Sequence, residues 1–248
     1  MSYQPNVSLR YLQSVGAAVL GLAALCLSLA VPACAQSVVV NAPSTDITEA
    51  KHLYLEMDLY THPISHQLGG FQVYIPRMTY GLTKNIEVGL NVTVTNALEP
   101  KQPVEVQPNV KWRFYNNEKN GVAASGGLVY YATVAHRAGS DNFGLIYSNV
   151  SKKFKSDFGP RLTAGGYGLV GRADGNGPKG GVTLSYEQPL HPKVTWINDW
   201  FSGKNRFGYA STGLAYAPNP HTSVAVTYSF GNYGRGNNGI FAWVGYTF

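Results

Sequence analysis

Acidic, amide and basic residues occupy every second position of one stretch near the middle of the chain. Between residues 104 and 115 these residues are Glu105, Gln107, Asn109, Lys111 and Arg113. The positions between them are mostly apolar, namely Val104, Val106, Val110, Trp112 and Phe114. Because successive side chains of a strand point to opposite faces, this pattern predicts a strand with one polar and one apolar face. Charges of both signs on an enclosed face could form ion pairs that hold a wall together, or line a water path that selects solutes by charge.

The same alternation places charged residues on the polar faces of other predicted strands. Leucine and methionine alternate with two acids between residues 53 and 59, and branched residues alternate with polar ones between 86 and 95. The residues predicted to face an interior are Glu56, Asp58, Arg77, Glu87, Glu105, Lys111, Arg113, Arg161, Glu187, Asp199 and Trp243. The sequence does not pair these charges with one another, so the ion-paired wall and the water path both stay open.

Residues typical of catalytic and metal sites are sparse in this chain. His62 and His66 are close in sequence, but no carboxylate lies beside them, which favours unrelated loop histidines over a metal site. Cys26 and Cys34 both precede residue 36, so no thiol chemistry follows them. The glycine-rich stretch 165–168 lies inside a strand pattern with no helix after it, which excludes a phosphate cradle. We therefore predict no enzymatic activity, no cofactor and no metal site.

The last nine residues alternate in the same way and end on an aromatic residue. Every second residue, counted back from the C terminus, is apolar or aromatic: Phe248, Tyr246, Val244, Ala242 and Ile240. A barrel in lipid needs an apolar outer face and aromatic residues at its rims. This ending resembles the C-terminal signal of bacterial outer-membrane β-barrels, which implies that Tyr246 and Phe248 are read by the barrel assembly machinery. Phe241 and Trp243 lie on the opposite face, where they would either stack with an aromatic solute or fill the lumen.

Twelve such stretches can be placed between residue 51 and the C terminus. They are 51–60, 70–80, 86–95, 104–115, 121–135, 143–154, 160–171, 180–190, 193–202, 207–217, 222–231 and 239–248. The breaks between them alternate between tight turns and longer loops, as short periplasmic turns and longer external loops of an outer-membrane barrel do. The sequence therefore predicts an all-β, twelve-stranded antiparallel transmembrane β-barrel over residues 51–248.

The N-terminal 35 residues have the pattern of an export signal. Arg10 is followed by an apolar or small run from Val15 to Val31, and the small-x-small pattern Ala33-Cys34-Ala35 precedes Gln36. We predict cleavage after residue 35, with lipid attachment at Cys34 or an uncleaved anchor as the alternatives. Residues 36–50 are predicted to be a short periplasmic lead-in. The net charge of +6 is spread along the chain, which argues against a nucleic-acid surface.

Two segments resemble a group of bacterial outer-membrane proteins described as transporter-like, which includes the MetA-pathway proteins of phenol degradation. The first is the turn Tyr80-Gly81-Leu82-Thr83 followed by the strand Ile86-Glu87-Val88-Gly89-Leu90, and the second is Asp199-Trp200-Phe201-Ser202-Gly203. The resemblance implies a barrel that passes small solutes, aromatic or hydrophobic ones included. It implies no catalytic residue.

These patterns predict a monomeric channel or transporter-like barrel of the bacterial outer membrane, for passive passage or binding of small solutes. The expected partners are outer-membrane lipid, the barrel assembly machinery and a small solute that the sequence does not identify. One alternative is a closed barrel with a structural or surface-interaction role. Another is an outer-membrane hydrolase, which would need a serine and a histidine within hydrogen-bond reach.

Overall fold

The computed structural model describes residues 37–97, 102–137, 140–156, 158–172, 177–234 and 238–248. These residues form twelve strands that close into one antiparallel barrel. The strands are β1 Leu53–His62, β2 Phe71–Thr83, β3 Ile86–Asn96, β4 Val104–Asn117, β5 Val122–Ala135, β6 Phe143–Lys153, β7 Arg161–Val170, β8 Gly180–His191, β9 Val194–Phe201, β10 Tyr209–Asn219, β11 Thr222–Gly231 and β12 Gly239–Thr247. The predicted fold class is confirmed, while the predicted export signal, residues 1–35, lies outside the described residues.

Each strand pairs with its sequence neighbours, and β12 pairs with β1 to close the barrel. Tyr54 of β1 lies opposite Thr247 of β12, and the backbone N–H of Phe248 donates to the carbonyl of Leu53 at 2.8 Å. Closure leaves no strand edge unpaired, which a sheet in lipid requires. The described part of the chain contains no helix with the length and hydropathy of a transmembrane span.

The two ends of the barrel differ in the length of their connections. β1 begins and β12 ends at one end, which we call the terminal rim; four of its five connections have two to four residues, and the fifth, between β6 and β7, has seven. The opposite end carries the longer connections and is called the loop rim; its first connection includes a 3-10 helix, His66–Leu68. The alternation of short and long connections that the spacing predicts is therefore present except between β6 and β7, where the predicted tight turn is as long as most connections at the loop rim.

The alternation within each strand separates an apolar outer face from a mainly polar inner face. In β3, Val88, Leu90 and Val94 are exposed on the outside, whereas Glu87 and Thr93 are buried inside. Large apolar residues on the outside of other strands include Met57, Trp112, Ile146, Leu184 and Val226. An outer surface of this kind is stable against hydrocarbon and unstable against water.

Residues 37–48 lie inside the barrel, and we call them the inner segment. Val38 and Pro43 form a β-bridge, and the N–H of Val39 donates to the carbonyl of Ala42 at 2.9 Å, so the first part of the segment is a tight hairpin. Val40 and Ala42 are fully buried. This placement corrects the expectation of a periplasmic lead-in at residues 36–50.

Apolar packing explains why the inner segment enters the lumen. Val39 and Val40 pack against inward-facing apolar residues of β9, β11 and β12, which are Ile197, Ala225, Phe241 and Trp243. These side chains would otherwise meet water within the barrel, so their burial stabilises the filled state by about 25 cal/mol per Å² of apolar surface.

Glycine makes room for one of the large inward side chains. The hydroxyl of Tyr147, on β6, lies over Gly127 of β5, in the space that a side chain at position 127 would occupy. The ring of Tyr147 can therefore lie along the barrel wall, which explains part of the small-residue content of β5.

Candidate functional site

Three acid–base pairs face the lumen from directly opposite positions on neighbouring strands. Glu56 lies opposite Arg77, Glu87 opposite Lys111, and Arg161 opposite Glu187. In the first pair, Arg77 Nε lies 3.6 Å from Glu56 Oε1 and also donates to Asp58 Oδ2. Buried carboxylates are costly unless they are paired, so cross-strand pairing lets the wall carry them.

The second pair also holds the inner segment. Lys111 Nζ lies 3.4 Å from Glu87 Oε1 and donates to the carbonyl oxygens of Ser37 at 2.5 Å and Asp46 at 2.9 Å. The second oxygen of Glu87 accepts the backbone N–H of Thr48 at 2.7 Å. Both ends of the inner segment are therefore bound to one ion pair on β3 and β4.

The third pair extends to Asp46, which the alternation of charges had not indicated. Arg161 Nε donates to Glu187 Oε2 at 2.5 Å, and Arg161 Nη2 donates to Glu187 Oε1 at 2.7 Å. The remaining nitrogen, Nη1, donates to Asp46 Oδ2. Burial raises the pKa of the Asp46 carboxyl, but the charge and hydrogen bond of Arg161, helped by Lys111 and Arg113, lower it by more. Its pKa therefore lies below the ordinary value of 3.8, and the group is charged near neutral pH.

The tip of the inner segment is bound by Asp199 on β9. One carboxylate oxygen, Oδ2, accepts backbone N–H groups from Val40 at 3.1 Å and from Asn41 and Ala42 at 2.6 Å each. Successive N–H groups that converge in this way form a small anion-binding concavity. Asp199 therefore acts as an anchor for the tip.

The loop rim is narrowed by the connection between β9 and β10, residues 202–208. Gly203 has a φ of 89°, which allows the chain to turn inward at this point. Asn205 is buried and its Nδ2 donates to the hydroxyl of Tyr167 at 2.8 Å and to the carbonyl of Pro178 at 2.9 Å. The loop is therefore fastened to the inner wall.

Arg206 of this loop reaches the far side of the barrel. Its two terminal nitrogens donate to the two carboxylate oxygens of Glu105 on β4, at 2.6 and 2.8 Å. Burial lowers the pKa of Arg206, but the hydrogen bonds and charge of Glu105 raise it by more. The guanidinium is therefore charged, and a bidentate pair spans the mouth.

A cavity of about 530 Å³ remains beside the inner segment. Most of its lining comes from β1 to β5, and residues of β6, β9, β10, β12 and the loop 202–208 complete it. Part of its surface is made of amides and hydroxyls, including Asn91, Thr93, Thr95, Gln107 and Asn109. Aromatic rings line much of the rest, including Tyr60, Phe71, Tyr131, Phe201, Phe207 and Tyr209. A space of this volume, with both polar and aromatic walls, suits a small amphipathic solute.

The remaining predicted residues lie in three different places. Trp243 is buried in the lumen against the inner segment, and its indole nitrogen has no hydrogen-bond partner among the described residues. Arg113 lies at the terminal rim, where it donates to the carbonyl of Lys84 at 3.1 Å. Tyr246 and Phe248 are exposed on the outside of the same rim, with ring centroids 4.7 Å apart.

The histidine rings lie outside this cavity and bond mainly to backbone. His62 contacts the carbonyl of Asn238 at 2.6 Å, His221 that of Thr247 at 3.0 Å, and His66 the side chain of Gln72 at 3.1 Å. Among the described residues, no group of three histidine, cysteine or acidic residues is placed to hold a metal ion.

Sequence patterns did not indicate Ser37, Asp46 or Arg206 as lumen residues. All three lie outside strands, where no alternation assigns a side chain to a face. One available signal was the apolar run Val38–Val40 next to a barrel whose inward positions include Phe241 and Trp243. Apolar residues on both faces of β12 indicate that something must cover the inner face.

No protein-family model and no curated protein matches this chain. Among solved structures, the KdgM porin in complex with disordered oligogalacturonate has a TM-score of 0.52 at 10% identity, over 79% of this chain and 99% of that one. The COG4313 outer membrane channel of Pseudomonas putida F1 has a TM-score of 0.50 at 10% identity, over 82% and 97% of the two chains. This chain has the fold of an outer-membrane β-barrel. Outer membrane phospholipase A from Escherichia coli has a TM-score of 0.49 at 12% identity, over 87% and 98%.

Proposed function

We propose that this protein is a channel of the bacterial outer membrane through which small solutes pass passively. The observation that carries the proposal is the cavity beside the inner segment. Its lining runs from Tyr54 and Thr79, near the terminal rim, to Phe71 and Thr95, near the loop rim. A barrel that served only as a wall would not need a polar passage of this length.

The chemistry of the lining supports small solutes that are neutral or carry few charges. Arg77 and Lys111 are paired with carboxylates of the same wall, so they do not form a continuous cationic track. The KdgM porin was solved in complex with an oligogalacturonate, whereas the wall of this barrel has no continuous row of unpaired cations, among the described residues, to bind a long polyanion. The aromatic lining near the loop rim agrees with the aromatic or hydrophobic solutes that the resemblance to the MetA-pathway group implies.

Conductance of the purified protein in planar lipid bilayers tests the proposal. We expect small, discrete current steps, and swelling of liposomes that contain the protein when small neutral solutes are added outside. A bilayer that stays sealed, together with liposomes that do not swell, would instead support the alternative of a closed structural barrel. That alternative draws on the inner segment and on the pair between Glu105 and Arg206, both of which fill the lumen.

The proposed partners in the cell are outer-membrane lipid and the barrel assembly machinery. The apolar outer face supports the first, and the exposed rings of Tyr246 and Phe248 at the terminal rim support the second. Deleting Phe248 should lower the amount of folded protein in outer-membrane fractions severalfold, while Thr247→Ala, which leaves both rings in place, should not. Equal amounts of the two variants would refute a role of Phe248 in assembly.

We also propose that the chain is not an enzyme. The hydrogen bonds of His62, His66 and His221 go to backbone carbonyls or an amide, which differs from the serine–histidine pair of a hydrolase. Release of fatty acid from phospholipid vesicles by the purified protein, above the rate of the vesicles alone, would contradict this.

A further inference from the structure

Glu105 and the aromatic rings of Tyr131, Phe143 and Phe207 surround the guanidinium of Arg206. The carboxylate of Glu105 is buried, and Gln107 Nε2 donates to one of its oxygens at 3.2 Å. The guanidinium carbon of Arg206 lies 5.1 Å from the ring centroid of Tyr131 and 5.6 Å from those of Phe143 and Phe207. A buried carboxylate surrounded by aromatic faces binds guanidinium groups well, because the fork matches both oxygens and the rings attract the cation.

The two partners of this pair differ in their freedom to leave it. Glu105 is part of β4 and its side chain is 7% exposed, so it stays in the wall. Arg206 belongs to the loop 202–208 at the rim and its side chain is 35% exposed, so it can turn towards water. Leaving Glu105 buried without a cation is strongly unfavourable, whereas an arginine at the mouth regains its hydration. A cation that replaces Arg206 is therefore favoured over an anion that replaces Glu105.

We propose that Glu105, Tyr131 and Phe143 form a binding site for organic cations with a planar guanidinium head, and that Arg206 occupies this site until such a solute displaces it. Arg206 lines the cavity beside the inner segment, so its displacement moves a side chain out of the proposed solute path. The inference rests on the proposed channel function and names a class of solute that the mouth recognises.

Competition with a tethered side chain sets the concentration at which a solute acts. A group on a short loop has an effective concentration in the millimolar range, so a free guanidinium must reach about millimolar levels to replace Arg206. Removing Arg206 should make the same site available at much lower concentration.

Titration with methylguanidinium chloride tests this in the full-length barrel. We expect methylguanidinium to reduce the sodium current of Arg206→Ala at a half-saturating concentration about tenfold or more below that of the wild type, because the tethered competitor is gone. Lys204→Ala is the matched control, since Lys204 is an exposed residue of the same loop and its removal also takes a positive charge from the mouth. It should respond as the wild type does.

Two results would overturn the inference. One is an equal response of Arg206→Ala and the wild type. The other is a double variant Glu105→Gln/Arg206→Ala that responds to methylguanidinium as strongly as Arg206→Ala does, although its carboxylate is gone. Methylammonium should act more weakly than methylguanidinium on Arg206→Ala, and equal potency would refute the preference for a planar head.

A second readout separates this inference from the channel function. The unfolding temperature of each detergent-solubilised variant, followed by circular dichroism, also reports that the barrel has folded. Stabilisation of Arg206→Ala by methylguanidinium in a protein that passes no current would support the site and reject the channel. A clear current through Arg206→Ala without saturable binding of methylguanidinium would reject the proposed site and leave the channel function standing.

Discussion

The carboxylate of Asp199 and the backbone N–H of Asn41 are 158 positions apart in sequence and lie 2.6 Å apart inside the barrel. The same oxygen accepts the N–H groups of Val40 and Ala42. Hydrogen bonds to a charged group each stabilise by about 1.5–3 kcal/mol. The tip of the inner segment is therefore bound to the barrel wall at β9.

Removing that anchor should widen the channel. In Asp199→Ala the three N–H groups lose their acceptor, and we expect the single-channel conductance to rise about twofold or more as the tip leaves the wall. Thr227→Ala is the control, because Thr227 is also buried on the inner face but donates to the carbonyl of Phe241 and not to the inner segment. Equal conductance of Asp199→Ala and the wild type would show that the segment stays in place without its anchor.

Breaking the ion pair between β3 and β4 should destabilise the barrel. Lys111→Ala leaves Glu87 buried without its cation, so we expect the free energy of unfolding in detergent or lipid to fall by about 3–5 kcal/mol. Lys84→Ala, at an exposed position of the β2–β3 turn, should change it by less than about 0.5 kcal/mol. Adding Glu87→Gln to Lys111→Ala should recover part of the loss, and a double variant less stable than Lys111→Ala would contradict the pairing.

Docking of the inner segment should resist mild acid. The pKa of Asp46 is lowered in the folded protein, so its contribution is complete above the ordinary value of 3.8 and is lost as the pH falls through the lower, folded value. We expect conductance to stay level from pH 7 to about pH 4 and to rise only below that. In Asp46→Asn the contribution of the charged carboxylate to docking is missing at every pH. The conductances of Asp46→Asn and the wild type should therefore become equal at the acidic end of the range. A difference in conductance that does not shrink as the pH falls from about 4 to the most acidic pH at which the barrel stays folded would contradict this linkage.

Arginine substitutions at two depths in the bilayer test whether the apolar side chains face lipid. Leu90 lies near the middle of β3, and Leu82 lies near the terminal rim on β2; both are exposed on the outside. Arginine on the lipid face costs about 2–4 kcal/mol at the middle of the bilayer and about 0–1 near its boundary. Leu90→Arg should therefore lower the free energy of folding into lipid vesicles far more than Leu82→Arg. If the two substitutions lower the free energy of folding equally, the outer face of the barrel does not lie in hydrocarbon.

The strands and their faces could be predicted from the sequence because a strand has a fixed period of two. The predicted stretch 104–115 and β4, Val104–Asn117, begin at the same residue. Glu87 and Lys111 were predicted to face inward, and both are buried in the lumen. Local geometry alone dictates these outcomes, since neighbouring side chains of a strand must point to opposite sides.

Which charges pair with which depended on the register between strands. The pairing of Glu87 with Lys111 requires β3 and β4 to be aligned so that these two positions are opposite. A shift by one residue would turn each side chain to the other face, so register depends on the packing of the whole sheet. No pattern within a single strand contains that information.

The sequence by itself determined a twelve-stranded barrel with an apolar outside, a charged inside and an aromatic C terminus. The tertiary structure alone decided what fills the lumen, because the inner segment and Arg206 lie outside strands and are placed by partners far away in sequence. Asp199 positions the first and Glu105 the second. Such contacts form only when the barrel closes and encloses the charged and apolar groups of its inner face. The enclosed carboxylates then bind N–H groups and a guanidinium, and the enclosed apolar side chains pack against valines of the inner segment.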